Sequence, residues 1–434
     1  MNVLMIGNAA REHVIAETFK KNKGVKLFSY MKSKNPGIAS LSEKIELGTY
    51  SDLEKINSFA KENSIDFAFI GPEGPLNEGV VDSLLEIGIE SIGPKKSLAR
   101  LETSKAFTRD LLKKYDIEGN PSFKVFTNDN MEEINGFMAK LDEVVVKPDG
   151  LTGGKGVKVQ GDHFQTKKDA IDYCKEVLET HPSVIVEEKL DGEEFSLQCL
   201  TDGKTVIGTP PAQDHKRAYD GDKGPNTGGM GSYSCENHLL PFLKKEHVDA
   251  ALEITKKVAD AIKEETGEYY RGIMYGGFIL TKNGVKLIEY NARFGDPEAM
   301  NTLPLFKTDF ALICRTMIIQ ELSRLKIEFE KKATVCKYAV PEGYPDNPVK
   351  DEKVEVEDCK ANVYYASVDQ REDGLYMTGS RAIAFVGIGD NLEEAEKIAQ
   401  ESLNNVKGKV FFRKDIGTKE LVQKRVEHVK ELLN

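Results

Sequence analysis

Residues 285–298 read Val-Lys-Leu-Ile-Glu-Tyr-Asn-Ala-Arg-Phe-Gly-Asp-Pro-Glu, a short apolar run that leads straight into a dense set of polar groups. In an extended chain alternate side chains share a face, so Glu289, Asn291 and Arg293 are expected to point one way and Ile288, Tyr290 and Ala292 the other. Carboxylate and amide oxygens are hard ligands of the kind Mg²⁺ takes, usually shared with substrate phosphates and water. A guanidinium beside them can hold a carboxylate or phosphate by a two-pronged hydrogen bond. Gly295-Asp296-Pro297-Glu298 closes the run with further carboxylates, and residues 276–280 pair with it through a turn at Lys282-Asn283-Gly284. The pattern predicts a hairpin ending in a platform for a metal and a phosphate; the plainer alternative is a solvated strand face with chance charges.

Other stretches also offer groups to an anionic ligand. Val144, Val145 and Val146 put Lys147 at a strand end, and Gly150, Gly153, Gly154 and Gly156 let the loop around Lys155 approach a ligand closely. Glycine-rich backbone with lysine can cradle phosphates, but the spacing is not that of the G-x-x-x-x-G-K-[ST] loop and no helix follows, so a mobile hairpin flap is expected. Residues 209–231 are dense in Gly and Pro, show no helix or strand pattern, and carry Asp214, His215, Lys216 and Arg217; such a loop inside a domain is expected to be functional. His215 could act as acid or base, although a lone His in a basic loop reads better as a hydrogen-bonding spacer. The turn after 184–188, Lys189-Leu190-Asp191-Gly192-Glu193-Glu194, can offer backbone groups to a purine edge and an acid to a ribose.

The elements that must position these groups follow from the order of apolar runs. Strands at 3–6, 26–30 and 66–70 alternate with helical patterns, as in an open parallel α/β unit, whose ligands sit at the carboxyl ends of the strands. Gly7-Asn8-Ala9-Ala10-Arg11-Glu12-His13 and Gly71-Pro72-Glu73 lie at two such ends. The first has one glycine where a dinucleotide fingerprint needs three, so a dinucleotide is not expected. Arg11 at a helix start could hold a small phosphate, or Asn8 could merely cap a plain strand-to-helix turn. A helix is predicted over 97–115, carrying Lys105, with later helices at 131–139, 167–179, 246–265 and 309–326. From Ala333 onward short strands and one helix suggest a small α/β cap.

Bulk properties narrow the class. The 434 residues suggest several domains. No apolar run approaches a membrane span, and the start lacks a signal peptide's pattern, so a cytoplasmic location is expected. The six cysteines are scattered without metal or disulfide spacing, and the net charge of −11 argues against nonspecific nucleic-acid binding.

Lys105, Lys147, the Gly-rich flap, the acidic turn after Val186-Glu187-Glu188 and the Glu289/Asn291 pair occur in the order used by the ATP-grasp fold. With Asp214-His215-Lys216-Arg217, the Gly-Pro-Asn-Thr-Gly-Gly-Met-Gly run at 224–231, residues 289–298 and Arg11-Glu12-His13, the chain resembles the glycinamide ribonucleotide synthetase family of that superfamily along essentially its whole length. The resemblance implies an N-terminal open parallel α/β domain over 1–103, an ATP-grasp domain over 104–327 with its flap subdomain near 120–190, and a C-terminal α/β domain over 328–434, in an α/β and α+β multidomain fold.

It implies a ligase that joins glycine to 5-phosphoribosylamine with ATP cleaved to ADP and phosphate, through an acyl phosphate of glycine. Lys105, Lys147, Gly153, Gly154, Lys155 and Gly156 would then face the ATP phosphates, Glu187, Lys189 and Leu190 the adenine, and Glu193 or Glu194 the ribose. Glu289 and Asn291 would hold Mg²⁺ or Mn²⁺. Arg293 would anchor the glycine carboxylate near Asp214, with Lys216, Arg217, Gly229, Met230 and Gly231 in the substrate loop; Arg293, Asp214 and Lys147 would carry the chemistry. Gly7, Asn8, Arg11, Glu12 and His13 with Gly71, Pro72 and Glu73 would bind the phosphoribosylamine. A monomer that binds neither nucleic acid nor membrane is expected. Two departures stand out: Ala9-Ala10 precede Arg11 where glycines are usual, and the flap reads Leu-Thr-Gly-Gly-Lys-Gly where Leu-Ala-Ala-Gly-Lys-Gly is commoner. The alternatives are another ATP-grasp carboxylate–amine ligase and an ATP-binding module without turnover. Closure of the flap over ATP, which would shield an acyl phosphate from water, predicts that Mg-ATP protects residues 147–157 from limited proteolysis; equal cleavage with and without nucleotide would count against it.

Overall fold

The N-terminal apolar runs pair side by side in the computed structural model, which describes residues 1–128, 130–151 and 156–434. Five parallel strands stand in the order Lys44–Leu47, Lys26–Met31, Asn2–Ile6, Phe67–Ile70, Glu90–Ile92. Val3, Leu4, Met5 and Ile6 are all fully buried because helices cover both faces, which is why this strand is a continuous apolar run and does not alternate. The two outer strands escape sequence reading. Lys-Ile-Glu-Leu and Glu-Ser-Ile are short and part polar, as edge strands are, and only their neighbours define them.

The helix expected over 97–115 is two helices, Arg100–Thr103 and Lys105–Lys114. Ser104 between them is extended and its hydroxyl accepts from the Phe107 N–H, so a strong N-cap restarts the helix there. Asp149, next to Lys147 in the following sheet, accepts from both the Ala106 N–H and the Ser104 hydroxyl. Likewise 309–326 is a helix, Phe310–Ile318, and a 3₁₀ turn, Leu322–Arg324, separated where Gln320 takes a positive φ of 56°.

Two antiparallel sheets form the middle of the chain. One has the order Phe123–Phe126, Val184–Glu188, Val144–Pro148, Lys158–Val159; with the helices Met131–Met138 and Lys167–Thr180 it encloses its own apolar cluster around Val144, Val146 and Val186. The other has the order Val206–Gly208, Glu193–Thr201, Gly272–Thr281, Gly284–Asn291, packed on the long helix Lys245–Thr266. Its last two strands are the expected hairpin, longer than the sequence indicated. The register slips between Gly277 and Phe278, which pair with Glu289 and Leu287, so Ile288 is an extra residue. This bulge interrupts the alternation, and Ile288 and Glu289, though adjacent in sequence, both line the same cavity.

Residues 209–231, expected to lack strands, contribute Gln213–Asp214, Arg217–Tyr219 and Lys223–Asn226, with Gly231–Ser234 following. Arg217–Tyr219 and Lys223–Asn226 pair with each other as a local hairpin, whereas the other two strands pair at longer range. Gly231–Ser234 lies between Gln213–Asp214 and Ala333–Pro341, joining the loop to a C-terminal sheet that continues through Ile383–Gly389 to Asn362–Tyr365. A helix, Leu392–Leu403, covers that sheet, and a final one, Lys419–Leu433, closes the chain. Among the described residues no helix is long and apolar enough to cross a membrane.

One buried carboxylate ties the middle sheets together. Glu187, on the flap-side sheet, lies 2.6 and 3.0 Å from the Arg109 guanidinium and 2.7 Å from the Lys147 ammonium. Arg109 also donates to the carbonyls of Leu287 and Ile288 in the hairpin, at 2.9 and 2.7 Å. Burial pushes the Glu187 carboxyl up, but Arg109 and Lys147 outweigh it and bring it from an ordinary 4.5 to about 2. A carboxyl whose pKa is lower folded than unfolded stabilises the fold above the unfolded value and loses that stabilisation as pH falls toward the folded one. The expected outcome is a loss of about 3 kcal/mol between roughly pH 5 and pH 2 in urea melts, a pH dependence that Glu187→Gln removes while lowering stability at neutral pH.

Candidate active site

The end of the hairpin, the 213–217 segment and the strand Glu193–Thr201 surround a narrow cavity of about 10 Å³, enough for roughly one water. Glu194, Asp214, Lys216, Glu289 and Glu298 line it. Burial pushes the Glu289 carboxyl up, but Lys216, then Lys147, Lys105 and Arg293, hold it below the usual range, so it is an anion surrounded by cations. Asp214 behaves in the opposite way. Burial, then the neighbouring Glu298 carboxylate, push it well above the usual range, and its Oδ1 has no hydrogen-bond partner among the described residues. Burial also raises Glu298, whose Oε1 accepts from the Tyr275 hydroxyl at 2.7 Å. Lys216 donates to Glu194 at 3.0 Å, and that carboxylate raises its pKa.

Arg293 is less free than its sequence position suggested. It lies 2.9 Å from Glu102 and 3.3 Å from Glu73, and donates to Asn291 Oδ1 at 3.3 Å and to its neighbour's carbonyl, Phe294, at 3.1 Å. An arginine has five N–H donors, so a two-pronged grip on a ligand requires one present partner to yield. Glu73, whose contact is long and whose side chain is 40% exposed, is the one most easily exchanged. Glu102 also accepts from the Ala292 N–H at 2.7 Å and so fixes the backbone as well as the guanidinium.

The N-terminal loops meet this end of the hairpin. Arg11 pairs with Glu12 at 2.5 Å and donates to the Phe294 carbonyl at 3.2 Å, the same oxygen that Arg293 uses. Glu12 lies beneath both loops: its Cγ comes within 2.3 Å of where a Cβ would stand on either Gly7 or Gly71, so neither glycine can carry a side chain. Burial raises Glu73 but Arg293 and Arg11 outweigh it and bring it to about 2. Asn8 does not cap the helix; Ala9 occupies the cap, its N–H held by Glu12 at 2.7 Å, while Asn8 Oδ1 accepts from the Tyr50 hydroxyl. His13 is turned away from these groups. Its Nδ1 accepts from the Tyr365 N–H at 3.0 Å, its ring stacks on Tyr365, and burial holds it neutral with a pKa of about 4.

The remaining sequence candidates divide. Lys147 reaches the hairpin, 3.5 Å from the Ile288 carbonyl, and Lys105 donates to the Gly150 carbonyl at 2.8 Å. Lys189 pairs with Glu143, and the Gly156 carbonyl accepts from the Tyr173 hydroxyl. Gly153, Gly154 and Lys155 lie outside the described residues. Glu193 is buried and engaged by Gln213 and His428, unlike its neighbour Glu194 at the cavity. Arg217 pairs with Asp162 at 2.5 Å. Gly229 takes a φ of 107° and would place a Cβ 2.7 Å from Asp214 Oδ1; Met230 is fully buried, and Gly231 packs against the Cys336 carbonyl.

Sequence reading missed Glu102 and Arg109, each a charged residue among buried leucines, a signal that could have marked them. It also missed Arg381. From the C-terminal part this residue donates to the carbonyls of Gly228, Gly229 and Asp296 and stacks over Tyr338, partners too distant in the chain to foresee. Among the described residues no three His, Cys, Asp or Glu side chains make a closed metal cage. An anionic carboxylate and an amide on one strand edge fit a hard ion that completes its shell with phosphate and water.

Comparison with known proteins agrees along the chain. Models of the phosphoribosylglycinamide synthetase N domain, ATP-grasp (A) domain and C domain match residues 1–102, 103–299 and 334–419. Phosphoribosylamine–glycine ligase of Methanosarcina acetivorans is 52% identical over 434 residues, covering 100% of this chain and 98% of that protein. Its counterpart in Methanocaldococcus jannaschii is 51% identical and covered in full by this chain. The crystal structure of the Thermotoga maritima phosphoribosylamine–glycine ligase superposes with a TM-score of 0.80 at 27% identity, over 96% of this chain and 100% of that one. The chain therefore belongs to the phosphoribosylglycinamide synthetase family, the phosphoribosylamine–glycine ligases built on an ATP-grasp domain.

Proposed function

We propose that this chain joins glycine to 5-phosphoribosylamine in purine biosynthesis, cleaving ATP to ADP and phosphate, by way of glycyl phosphate. The observation that carries the residue-level reading is the charge arrangement at the cavity: one anionic carboxylate, Glu289, under the influence of Lys216, Lys147, Lys105 and Arg293, shares the cavity with an Asp214 whose Oδ1 has no partner among the described residues.

A carboxylate is a poor electrophile, so its conversion to an acyl phosphate supplies the leaving group that an attacking amine needs. Such a transfer is served by in-line positioning and charge neutralisation and needs no protein nucleophile. Lys105 and Lys147 attract the transferring phosphates. Glu187 acts indirectly, because its carboxylate is spent on holding Lys147 and Arg109 in place. Lys189 and Leu190 face the adenine, and Glu194 the ribose. Glu289 and Asn291 would hold Mg²⁺ or Mn²⁺, which would supply charge neutralisation on the phosphate.

Arg293, aimed by Glu102, takes the glycine carboxylate in exchange for its long contact to Glu73. Asp214, whose Oδ1 has no hydrogen-bond partner among the described residues, receives the glycine amine. Gly7, Asn8, Arg11 and Glu12 with Gly71, Pro72 and Glu73 receive the phosphoribosylamine, whose amine then attacks the acyl carbon and expels phosphate.

Phosphate release from Mg-ATP, with phosphoribosylamine generated in situ and each substrate omitted in turn, tests the reading: release is expected only when both glycine and the amine are present. ATP turnover without either, or none with both, would overturn it. Arg293→Ala and Glu289→Gln each remove a charge from a buried, paired cluster, which costs about 2–5 kcal/mol. The same assay should therefore show kcat/KM falling about 30-fold or more for each variant.

A further inference from the structure

Glu193 is a buried carboxylate, 6% exposed, one residue before the cavity-lining Glu194. Buried charges are kept only with counter-charge. Among the described residues two side chains of the last helix, Lys419–Leu433, face it: His428 Nδ1 lies 2.7 Å from one carboxylate oxygen, and the Arg425 guanidinium supplies counter-charge with its Nε 3.4 Å from the other, too poorly aligned for a hydrogen bond. Arg425 and His428 are three residues apart and so share a helix face, while Leu421, Val422 and Val429 anchor the helix in apolar contact. The matched C domain ends at residue 419, so this face lies beyond it.

Arg425 also reaches a second carboxylate. Its Nη2 pairs with Asp222, in the turn between the strands Arg217–Tyr219 and Lys223–Asn226. Asp222 is shared with Arg413, which has no exposed side-chain surface, pairs with Asp415 at 2.8 Å and donates to the Arg217 carbonyl at 3.1 Å. Gln213 completes the link: its Nε2 donates to the Glu194 carbonyl at 3.0 Å and approaches Glu193 at 3.4 Å, while the Tyr233 hydroxyl donates to its Oε1. Gln213 precedes Asp214, and Glu194 holds Lys216 at 3.0 Å. Both sides of the cavity, the strand with Glu194 and the loop with Asp214 and Lys216, are thus bound to one arginine.

We propose that Arg425, supported by His428, is a positioning residue for the ligation: by bridging Glu193 and Asp222 it fixes the strand carrying Glu194 against the loop carrying Asp214 and Lys216. This rests on the reading that the side chains around the cavity meet ATP and glycine. Without Arg425 the Glu193 carboxylate keeps His428 alone on that helix and Asp222 loses one of its two arginines, which loosens the strand carrying Glu194 against the segment carrying Asp214 and Lys216. The groups proposed for the phosphoribosylamine, Arg11, Glu12 and Glu73, are not in this network.

The test is steady-state phosphate release by Arg425→Met, Arg425→Lys and the unmodified protein, varying one substrate with the other two saturating. Arg425→Met should raise KM for ATP and for glycine about tenfold while leaving that for phosphoribosylamine within about twofold, and Arg425→Lys should recover most of the change. Unchanged KM values with a lowered melting temperature, or an equal rise for all three substrates, would overturn the proposal. If Arg425→Met does not fold, His428→Leu carries the same comparison with the same expected split. Lack of glycine-dependent release by the unmodified protein would count instead against the ligase reading itself.

Discussion

The Glu187 carboxylate, enclosed between Arg109 and Lys147, is the contact on which the arrangement of this molecule depends. Three pieces of chain converge there: the helix Lys105–Lys114, the flap-side sheet and, through the two carbonyls that Arg109 holds, the hairpin with Glu289. Charges are expensive to bury, and a pair often no better than breaks even against apolar side chains of the same shape. What such a pair supplies is geometry. An apolar core would tolerate a sliding contact between the two sheets, whereas a carboxylate shared by a guanidinium and an ammonium sets both distance and orientation, and it holds the ammonium of Lys147 within reach of the hairpin.

The same logic runs through the rest of the site. Arg293 is aimed by Glu102, Arg11 by Glu12, Lys216 by Glu194, and Glu193 by Arg425 and His428. Several charged side chains of the site are thus each held by a neighbouring charge or hydrogen bond, and the holding groups come from the matched N and ATP-grasp domains and from the last helix. Fixed cations of this kind are ready before charge develops in the reaction and need not reorganise when it does. Asp214 and Glu298 are the exception, two carboxyls buried near one another with little to neutralise them, so that both bind protons more tightly than usual. An added positive charge at that point would be strongly favoured.

The C-terminal part is more than a cover. Its sheet is continuous with Gly231–Ser234 and Gln213–Asp214, so the segment bearing Asp214 is a strand of that sheet as much as a loop of the ATP-grasp domain. Arg381 adds a second connection, joining the backbone of residues 228–229 to that of Asp296. Loops without strong local preference are ordered here by pairing with distant segments, and this explains how a Gly- and Pro-rich stretch can present charged groups in defined positions.

Much was legible in the residues alone. Apolar runs gave the central strands of the N-terminal sheet and the hairpin, because burial on both faces or on one leaves a local trace. Glu289, Asn291, Arg293, Lys147, Asp214 and Lys216 were legible as chemistry, because polar groups at strand ends and in long loops have no core role to explain them. Local sequence did not show the edge strands or the pairing of Gln213–Asp214 with Gly231–Ser234, which depend on partners outside the local run, and it missed the bulge at Ile288, the cap at Ser104 and the hairpin around Asp222, which rest on polar or short segments without an apolar pattern. It could not show that Glu187 and Glu193 are held by other side chains, that His13 packs under Tyr365, or that Arg293 already has partners. Residue type and short-range spacing are written locally, whereas counter-charge, exposure and the use of a hydrogen-bond donor are settled by whatever the fold brings alongside, and for this protein those neighbours lie tens to hundreds of residues away.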